Sequence, residues 1–193
     1  MKKAIKKSVS MILVFLMVFS TFSVVPSEFV HSYIAKAAEL VSSTVGASSS
    51  ETYSTDDFTY TLIDEYTKVQ ILSYIGDKTD VVIPDRIDDK KVTSIANNAF
   101  KSKPITSVVF GQYLETIGEY AFSYCNSLTK VTIKDNADAA IAIGYGAFYN
   151  CPVLAEVDFG NSVTSIGNYA FQYCYELKSL VFPATLKTIG YHT

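Results

Sequence analysis

One pattern recurs so regularly in the C-terminal half of this chain that it fixes how the chain can fold. Ile117, Ile143, Ile166 and Ile189 each stand before a glycine, at intervals of 26, 23 and 23 residues. In each full unit an Ala-Phe pair occupies the fourth and fifth positions after the isoleucine: Ala121-Phe122, Ala147-Phe148 and Ala170-Phe171. A cysteine falls at the eighth, giving Cys125, Cys151 and Cys174. Apolar residues then follow at three matched offsets: Leu128, Val131 and Ile133; Leu154, Val157 and Phe159; Leu177, Leu180 and Phe182. Such periodicity is the mark of a stacked-repeat architecture, in which each unit buries its apolar face only against its neighbours.

The irregularities fall where such a stack tolerates them. The first unit, from Ile95, keeps Ala99-Phe100 but brings Ile105, Val108 and Phe110 one position early. The second carries three extra residues around Asp135 to Ala140, and the polar Lys134-Asp135-Asn136 places them in a loop between faces. A fifth unit begins at Ile189-Gly190-Tyr191 and runs to Thr193. Terminal repeats are normally more polar than internal ones, whereas these last letters still match the internal pattern. The expectation is an array truncated at its C-terminus, continued by further chain or covered by a partner. A strand over Leu177 to Phe182 would otherwise expose its edge and invite self-association.

The other end reads as an export signal. Lys2, Lys3, Lys6 and Lys7 precede an apolar run from Met11 to Val25, and Ala35-Lys36-Ala37 supplies small residues for cleavage before Ala38. An uncleaved anchor is the rival reading, but the run is interrupted by Ser20, Thr21 and Ser23 and is shorter than the roughly 20 residues a spanning helix needs. The membrane therefore enters only through this peptide. Removing residues 1–37 takes five of 16 basic and one of 19 acidic residues, leaving 11 against 18, a net charge of −7 that repels nucleic acid. Residues 38–55 are rich in Ser and Thr and read as a linker. Alternation from Phe58 (Phe58, Tyr60, Leu62, then Val69 and Ile71 after Asp64-Glu65-Tyr66-Thr67-Lys68) predicts a β-hairpin. Asp80-Val81-Val82-Ile83-Pro84 imitates the strand of the later units, with Val81 and Ile83 at the positions of Val131 and Ile133. Residues 56–94 are accordingly expected to form a small β cap over the first repeat, with repeats over 95–193.

The spacing Ile-Gly-x-x-Ala-Phe-x-x-Cys-x-x-Leu-x-x-Val-x-Ile/Phe, with Pro183 after the last strand, resembles the BspA-type leucine-rich repeat of bacterial surface proteins. The likeness extends over residues 95–193, and Thr79 to Pro84 and Val92 to Ile95 look like entry segments of that family. Lys103 at the cysteine position of the first unit, and Lys134 and Gly160 where the strand proline would stand, depart from it. The resemblance implies an α/β repeat: a curved leucine-rich-repeat solenoid with a parallel β-sheet on one face and short helical or irregular segments on the other. It also implies an exported protein acting as an adhesin or in host interaction.

Within such a coil Leu128, Val131 and Ile133 point inward and the residues between them face out. The Phe of each Ala-Phe pair fills the interior from the opposite side, its alanine marks a close backbone approach, and the glycine after the isoleucine is expected to permit a tight turn. The cysteines recur at one structural position, so they should run parallel as buried thiols and not pair. A metal site is not expected, because no histidine accompanies them: besides His31 the chain has only His192.

The same scarcity argues against a catalytic serine or cysteine, and no cofactor motif is present. The best carboxylate pair, Glu156 and Asp158, is compatible with glycoside chemistry. Lys130 stands at the equivalent position one strand away, and cross-strand pairing explains it more simply. The outward strand positions are the expected binding face: Thr106, Ser107 and Val109; Thr129, Lys130 and Thr132; Ala155, Glu156 and Asp158; Lys178, Ser179 and Val181. Tyr120/Tyr124, Tyr145/Tyr149 and Tyr169/Tyr173, on the opposite segment, could stack on sugars or anchor a protein. They are read first as packing between repeats. The reading is a secreted or surface-displayed, non-enzymatic protein that binds an extracellular protein or glycan. The alternatives are the targeting module of a larger exported wall or glycan hydrolase, and a structural spacer.

Overall fold

A computed structural model describes residues 51–136 and 140–193; the expected signal peptide and residues 38–50 of the expected linker lie outside them, while residues 52–54, read as linker, form a strand paired to the hairpin. Thirteen strands follow in chain order. They are β1 (Thr52–Ser54), β2 (Phe58–Ile63), β3 (Lys68–Tyr74), β4 (Asp80–Val82), β5 (Arg86–Ile87), β6 (Lys90–Ile95) and β7 (Ser107–Phe110). Then come β8 (Thr116–Ile117), β9 (Lys130–Ile133), β10 (Ile141–Ile143), β11 (Glu156–Asp158), β12 (Val163–Ile166) and β13 (Thr188–Ile189). They build two sheets. One runs β1-β2-β3-β6-β8-β10-β12-β13, with β5 beside β6, and the other runs β11-β9-β7-β4. From β6 onward all neighbours along both paths are parallel.

The expectation of one parallel sheet with short helical or irregular segments opposite is corrected in part: the described residues contain two sheets and no helix, and the arcs between them are turns. The isoleucines read as unit starts are strand residues of the longer sheet. Ile71, Ile95, Ile117, Ile143, Ile166 and Ile189 stand in one register column. Inward side chains of the shorter sheet behave as the spacing predicts. Leu128, Val131 and Ile133 are buried, and the missing residue of the first unit is absorbed before β7, since Val108 pairs with Val131 and Phe110 with Ile133. Between the sheets the phenylalanines stack in a continuous column: Phe100 on Phe122 at 4.5 Å, Phe122 on Phe148 at 5.3 Å and Phe148 on Phe171 at 5.2 Å.

The Ala-Phe arcs are chains of turns because their amides divide between two directions. Alternate residues donate to the following coil (Asn98 to Glu119, Phe100 to Ala121, Phe122 to Ala147, Phe148 to Ala170), while those between close turns within the arc (Lys101 to Asn98, Ser123 to Tyr120). A helix would direct each of these amides back along its own segment. Here nearly every coil is bonded to the next along its whole perimeter.

The glycines after the isoleucines do not adopt positive φ; among the described glycines only Gly146 and Gly160 do. Their role is close approach. A Cβ on Gly144 would lie 2.8 Å from the carbonyl carbon of Gly118, and one on Gly167 would lie 2.7 Å from that of Gly144. The cysteines are free and buried, and each thiol donates to a phenylalanine carbonyl of the preceding coil: Cys125 to Phe100, Cys151 to Phe122 and Cys174 to Phe148.

At the N-terminal side the hairpin is present as β2 and β3, antiparallel, with Asp64, Glu65 and Tyr66 in the turn at positive φ. β3 lies parallel to β6, and β4 extends the shorter sheet with Val81 opposite Val108. At the other side Leu177 to Phe182 is not a strand, and the shorter sheet stops at β11. Leu177 and Leu180 still pack against the core, partly buried, and Phe182 stacks on Phe159 at 5.8 Å. The segment leaves an open cavity of about 510 Å³ lined by Phe171, Cys174, Leu177, Leu180 and Phe182 among others.

Candidate binding surfaces

The outward face of the shorter sheet is built by the two-residue period of its strands. Register aligns the outward residues in two columns: Asp80, Ser107, Lys130 and Glu156, then Val82, Val109, Thr132 and Asp158. Three inter-strand steps make this face roughly 14 Å across. Lys130 Nζ meets Glu156 Oε1 at 2.7 Å, the cross-strand pair that the spacing predicts, on side chains about half exposed. Asp80 Oδ1 accepts from the hydroxyls of Ser107 at 2.7 Å and Thr106 at 2.8 Å, which hold its carboxyl below the usual range.

Thr106, Thr129 and Ala155 each stand one residue before a strand, and Thr129 Oγ1 donates to the Thr106 carbonyl at 3.0 Å. Lys178, Ser179 and Val181 lie outside the sheet, so the structure does not bring them onto the face. Lys178 Nζ instead donates to the Tyr175 carbonyl at 2.9 Å, and Val181 is 83 % exposed. Glu156 and Asp158 share the exposed face with no cleft around them, and Asp158 Oδ1 accepts the Gly160 amide. Such open, solvated carboxylates have no desolvating wall to tune them for acid–base chemistry. Among the described residues no group of three His, Cys, Asp or Glu is placed to hold a metal ion.

A second surface lies on the turn arcs. The tyrosines form two rows running from coil to coil. In the first, Tyr120 meets Tyr145, Tyr145 meets Tyr169, and Tyr169 meets His192, all at 5.3 Å between centroids. In the second, Tyr124 meets Tyr149 at 5.7 Å and Tyr149 meets Tyr173 at 5.3 Å. The rings do pack between repeats. Their phenols are drawn together as well: burial, and then a hydrogen bond with Tyr145, raise the Tyr120 pKa, and burial and the neighbouring Tyr173 raise that of Tyr149.

What spacing did not reveal is the backbone beneath them. The third and seventh residues after each isoleucine hold positive φ: Asn98 and Ser102, Tyr120 and Tyr124, Gly146 and Asn150, Tyr169 and Tyr173. That region suits Gly and Asn and costs other residues roughly 1–2 kcal/mol each. Each aromatic contact returns about 0.5–1.5 kcal/mol, so the four tyrosines there contribute little net stability. The signal was present in the sequence, since Asn98, Gly146 and Asn150 occupy the same offsets as those tyrosines.

Residues 93–193 match the BspA-type leucine-rich repeat region, in six copies. Among solved structures the chain is similar to the leucine-rich repeat protein of T. pallidum, at 28 % identity and a TM-score of 0.66 over 72 % of this chain and 64 % of that one. It is also similar to a leucine-rich cell surface protein of Faecalibacterium prausnitzii A2-165, at 26 % identity and a TM-score of 0.63 over 73 % of this chain and 42 % of that one. The chain thus spans less than two thirds of the length of either. No curated protein matches it. These relatives are leucine-rich repeat proteins, and no catalytic family is among the matches. The chain belongs to the BspA-type leucine-rich repeat family, here folded as a two-sheet β-solenoid.

Proposed function

We propose that this is an exported, surface-displayed or secreted binding protein whose shorter sheet contacts a macromolecule on a host or neighbouring cell, in the manner of an adhesin. The observation that carries this reading is the pair of outward columns on that sheet, mixed in polarity and free of any role in coil-to-coil burial. The Faecalibacterium relative, described as a cell surface protein, supports the extracellular placement. The face presents eight outward strand residues, fewer than the roughly 20–30 a side of a standard protein interface. Each copy therefore binds weakly, and display of many copies on a surface supplies the avidity.

The test is the triple variant K130S/E156S/D158S, with labelled protein applied to epithelial monolayers and to bacterial cells. A binder loses adherence while its thermal midpoint holds. Unchanged adherence refutes this face, and absence of adherence in the parent protein refutes the adhesin reading altogether.

A further inference from the structure

The tyrosine arcs are built in a way that folding alone does not explain. Tyr120, Tyr124, Tyr169 and Tyr173 sit at positive φ, a conformation in which a bulky side chain is an outlier. The equivalent positions of other coils carry Asn98, Gly146 and Asn150, the residue types that take this conformation readily. The fold thus accepts the relaxed residues, and the chain places rings there instead. Strained backbone of this kind gathers at ligand-binding sites.

The chemistry of the band is uniform. The three arcs 118–124, 144–150 and 167–173 contain one charged residue, Glu119, and are otherwise Tyr, Asn, Gln, Ser, Gly and the buried Ala-Phe pairs. Ring planes in the rows lean on one another at 54–75°. Tyr124, Tyr145 and Tyr173 keep 38–44 % of their surface open. The outer surface is a corrugated strip of ring faces, edges and phenol hydroxyls that advances by one coil at each step, with Glu119 and the Lys101 ammonium, 5.8 Å from the Tyr124 ring centroid, as charges at its first coil. Most folded protein surfaces lack such a translational repeat. A polymer of identical units has one, and a sugar in an extended β-1,4-linked chain advances by about the spacing of neighbouring strands.

We propose that the tyrosine band is a second binding surface, a track for an extended, neutral, β-1,4-linked glycan lying along the solenoid axis with one sugar per coil. Aromatic faces take the C–H faces of the pyranose rings, and phenol and amide groups exchange hydrogen bonds with their hydroxyls. The rings are locked against their neighbours before any ligand arrives, which removes the ordering loss that weak glycan contacts rarely recover. This surface is separate from the sheet face, and the proposal does not rest on the adhesin reading.

The probes are cellohexaose, chitohexaose and xylohexaose with their trimers, titrated by calorimetry into the purified protein. The parent protein is expected to bind at least one hexamer, about tenfold or more tighter than its trimer. Y120N/Y124N/Y169N/Y173N relieves the positive-φ positions and is expected to melt no lower than the parent while losing binding at least tenfold. K130S/E156S/D158S is expected to keep it. Tyrosine emission gives a second readout independent of that variant's folding, because the chain has no tryptophan: the binding hexamer should perturb it in the parent. Failure of all three hexamers to bind, unchanged binding in the asparagine variant, or unperturbed emission overturns the proposal. So does a parent protein that ignores glycans yet loses cell adherence on the same four substitutions, which would assign the band to a protein partner.

Discussion

Truncating Phe148 to alanine should be among the most damaging single changes in this protein. The ring is fully buried, with Phe122 against one side at 5.3 Å and 15° and Phe171 against the other at 5.2 Å and 4°. Phe→Ala changes in cores cost about 3–5 kcal/mol, the spread reflecting how far the site can collapse. Here it collapses little, because the arc is pinned: the Phe148 amide donates to Ala170 at 2.8 Å and the Phe122 amide to Ala147 at 2.7 Å, fixing the distance between coils. The expected loss therefore lies in the upper half of that range, about 4–5 kcal/mol. With a urea m-value of about 2 kcal/mol/M, the unfolding midpoint falls by roughly 2 M at unchanged slope. Phe182→Ala is the control. That ring is 43 % exposed and meets Phe159 alone at 5.8 Å, so its loss should stay near 1 kcal/mol or below. Urea denaturation followed by far-UV circular dichroism measures both. Equal shifts for the two variants, or a Phe148→Ala shift under about 0.5 M, would refute the argument that stacked coils hold their core rigidly. A split transition would show instead that the coils on either side melt separately.

Other outcomes follow from the same geometry. Gly144→Ala should cost about 1–3 kcal/mol by overpacking, since the new Cβ meets the backbone of Gly118 and Ile117 at 2.8 Å; an unchanged melting temperature would contradict the glycine contact. Serine at both Lys130 and Glu156 should change stability by less than about 1 kcal/mol, because the pair is exposed, and urea titration in low and high salt checks it. Alkali should destabilise the fold. Burial raises the Cys125 thiol to about 12, and the hydrogen bond with Cys174, followed by burial, raises that of Cys151. A folded pKa above the unfolded one gives stability that is complete below the ordinary thiol value of about 8.5 and is lost as pH climbs toward 12. Tyr60, raised to about 12 by burial and by its bond to Asp88, adds to the loss above pH 10. Melting temperatures from pH 7 to 11 should stay level and then fall. A thiol reagent at pH 8 should label neither Cys125 nor Cys151 in the native protein and both in denaturant, and rapid native labelling of either would refute the burial.

The long-range order of this fold was legible because each coil repeats one solution to the same packing problem. Positions such as Leu128, Val131 and Ile133 could be assigned inward from spacing alone, and Lys130 could be set opposite Glu156. The second sheet was not legible, because its strands are as short as Thr116–Ile117 and Thr188–Ile189, too brief to display alternation. A run such as Val163-Thr-Ser-Ile166 carries the β-branched signal, but its partners lie a whole coil away and pairing at that distance leaves no local trace. Short helical or irregular segments were expected opposite the sheet from the family resemblance, and short arcs of Ala, Phe and Tyr give no sign that their amides bond outward to the next coil. Tyrosine at positive φ runs against residue preference, so Tyr120 and Tyr173 are legible there only through Gly146 and Asn150, which share their offsets. Leu177 to Phe182 matches the strand pattern of the earlier units, yet it is not a strand, and nothing in its own letters marks the difference.

The account stands on coils closed by turns and bonded edge to edge, and solution NMR of the arcs tests that directly. It predicts cross-peaks linking Gly118 to Gly144 and Gly144 to Gly167, together with chemical shifts of left-handed backbone at Tyr120, Tyr124, Tyr169 and Tyr173. Helical shifts across residues 144–150 without the glycine contacts would contradict it, and would return the molecule to a single sheet backed by helices.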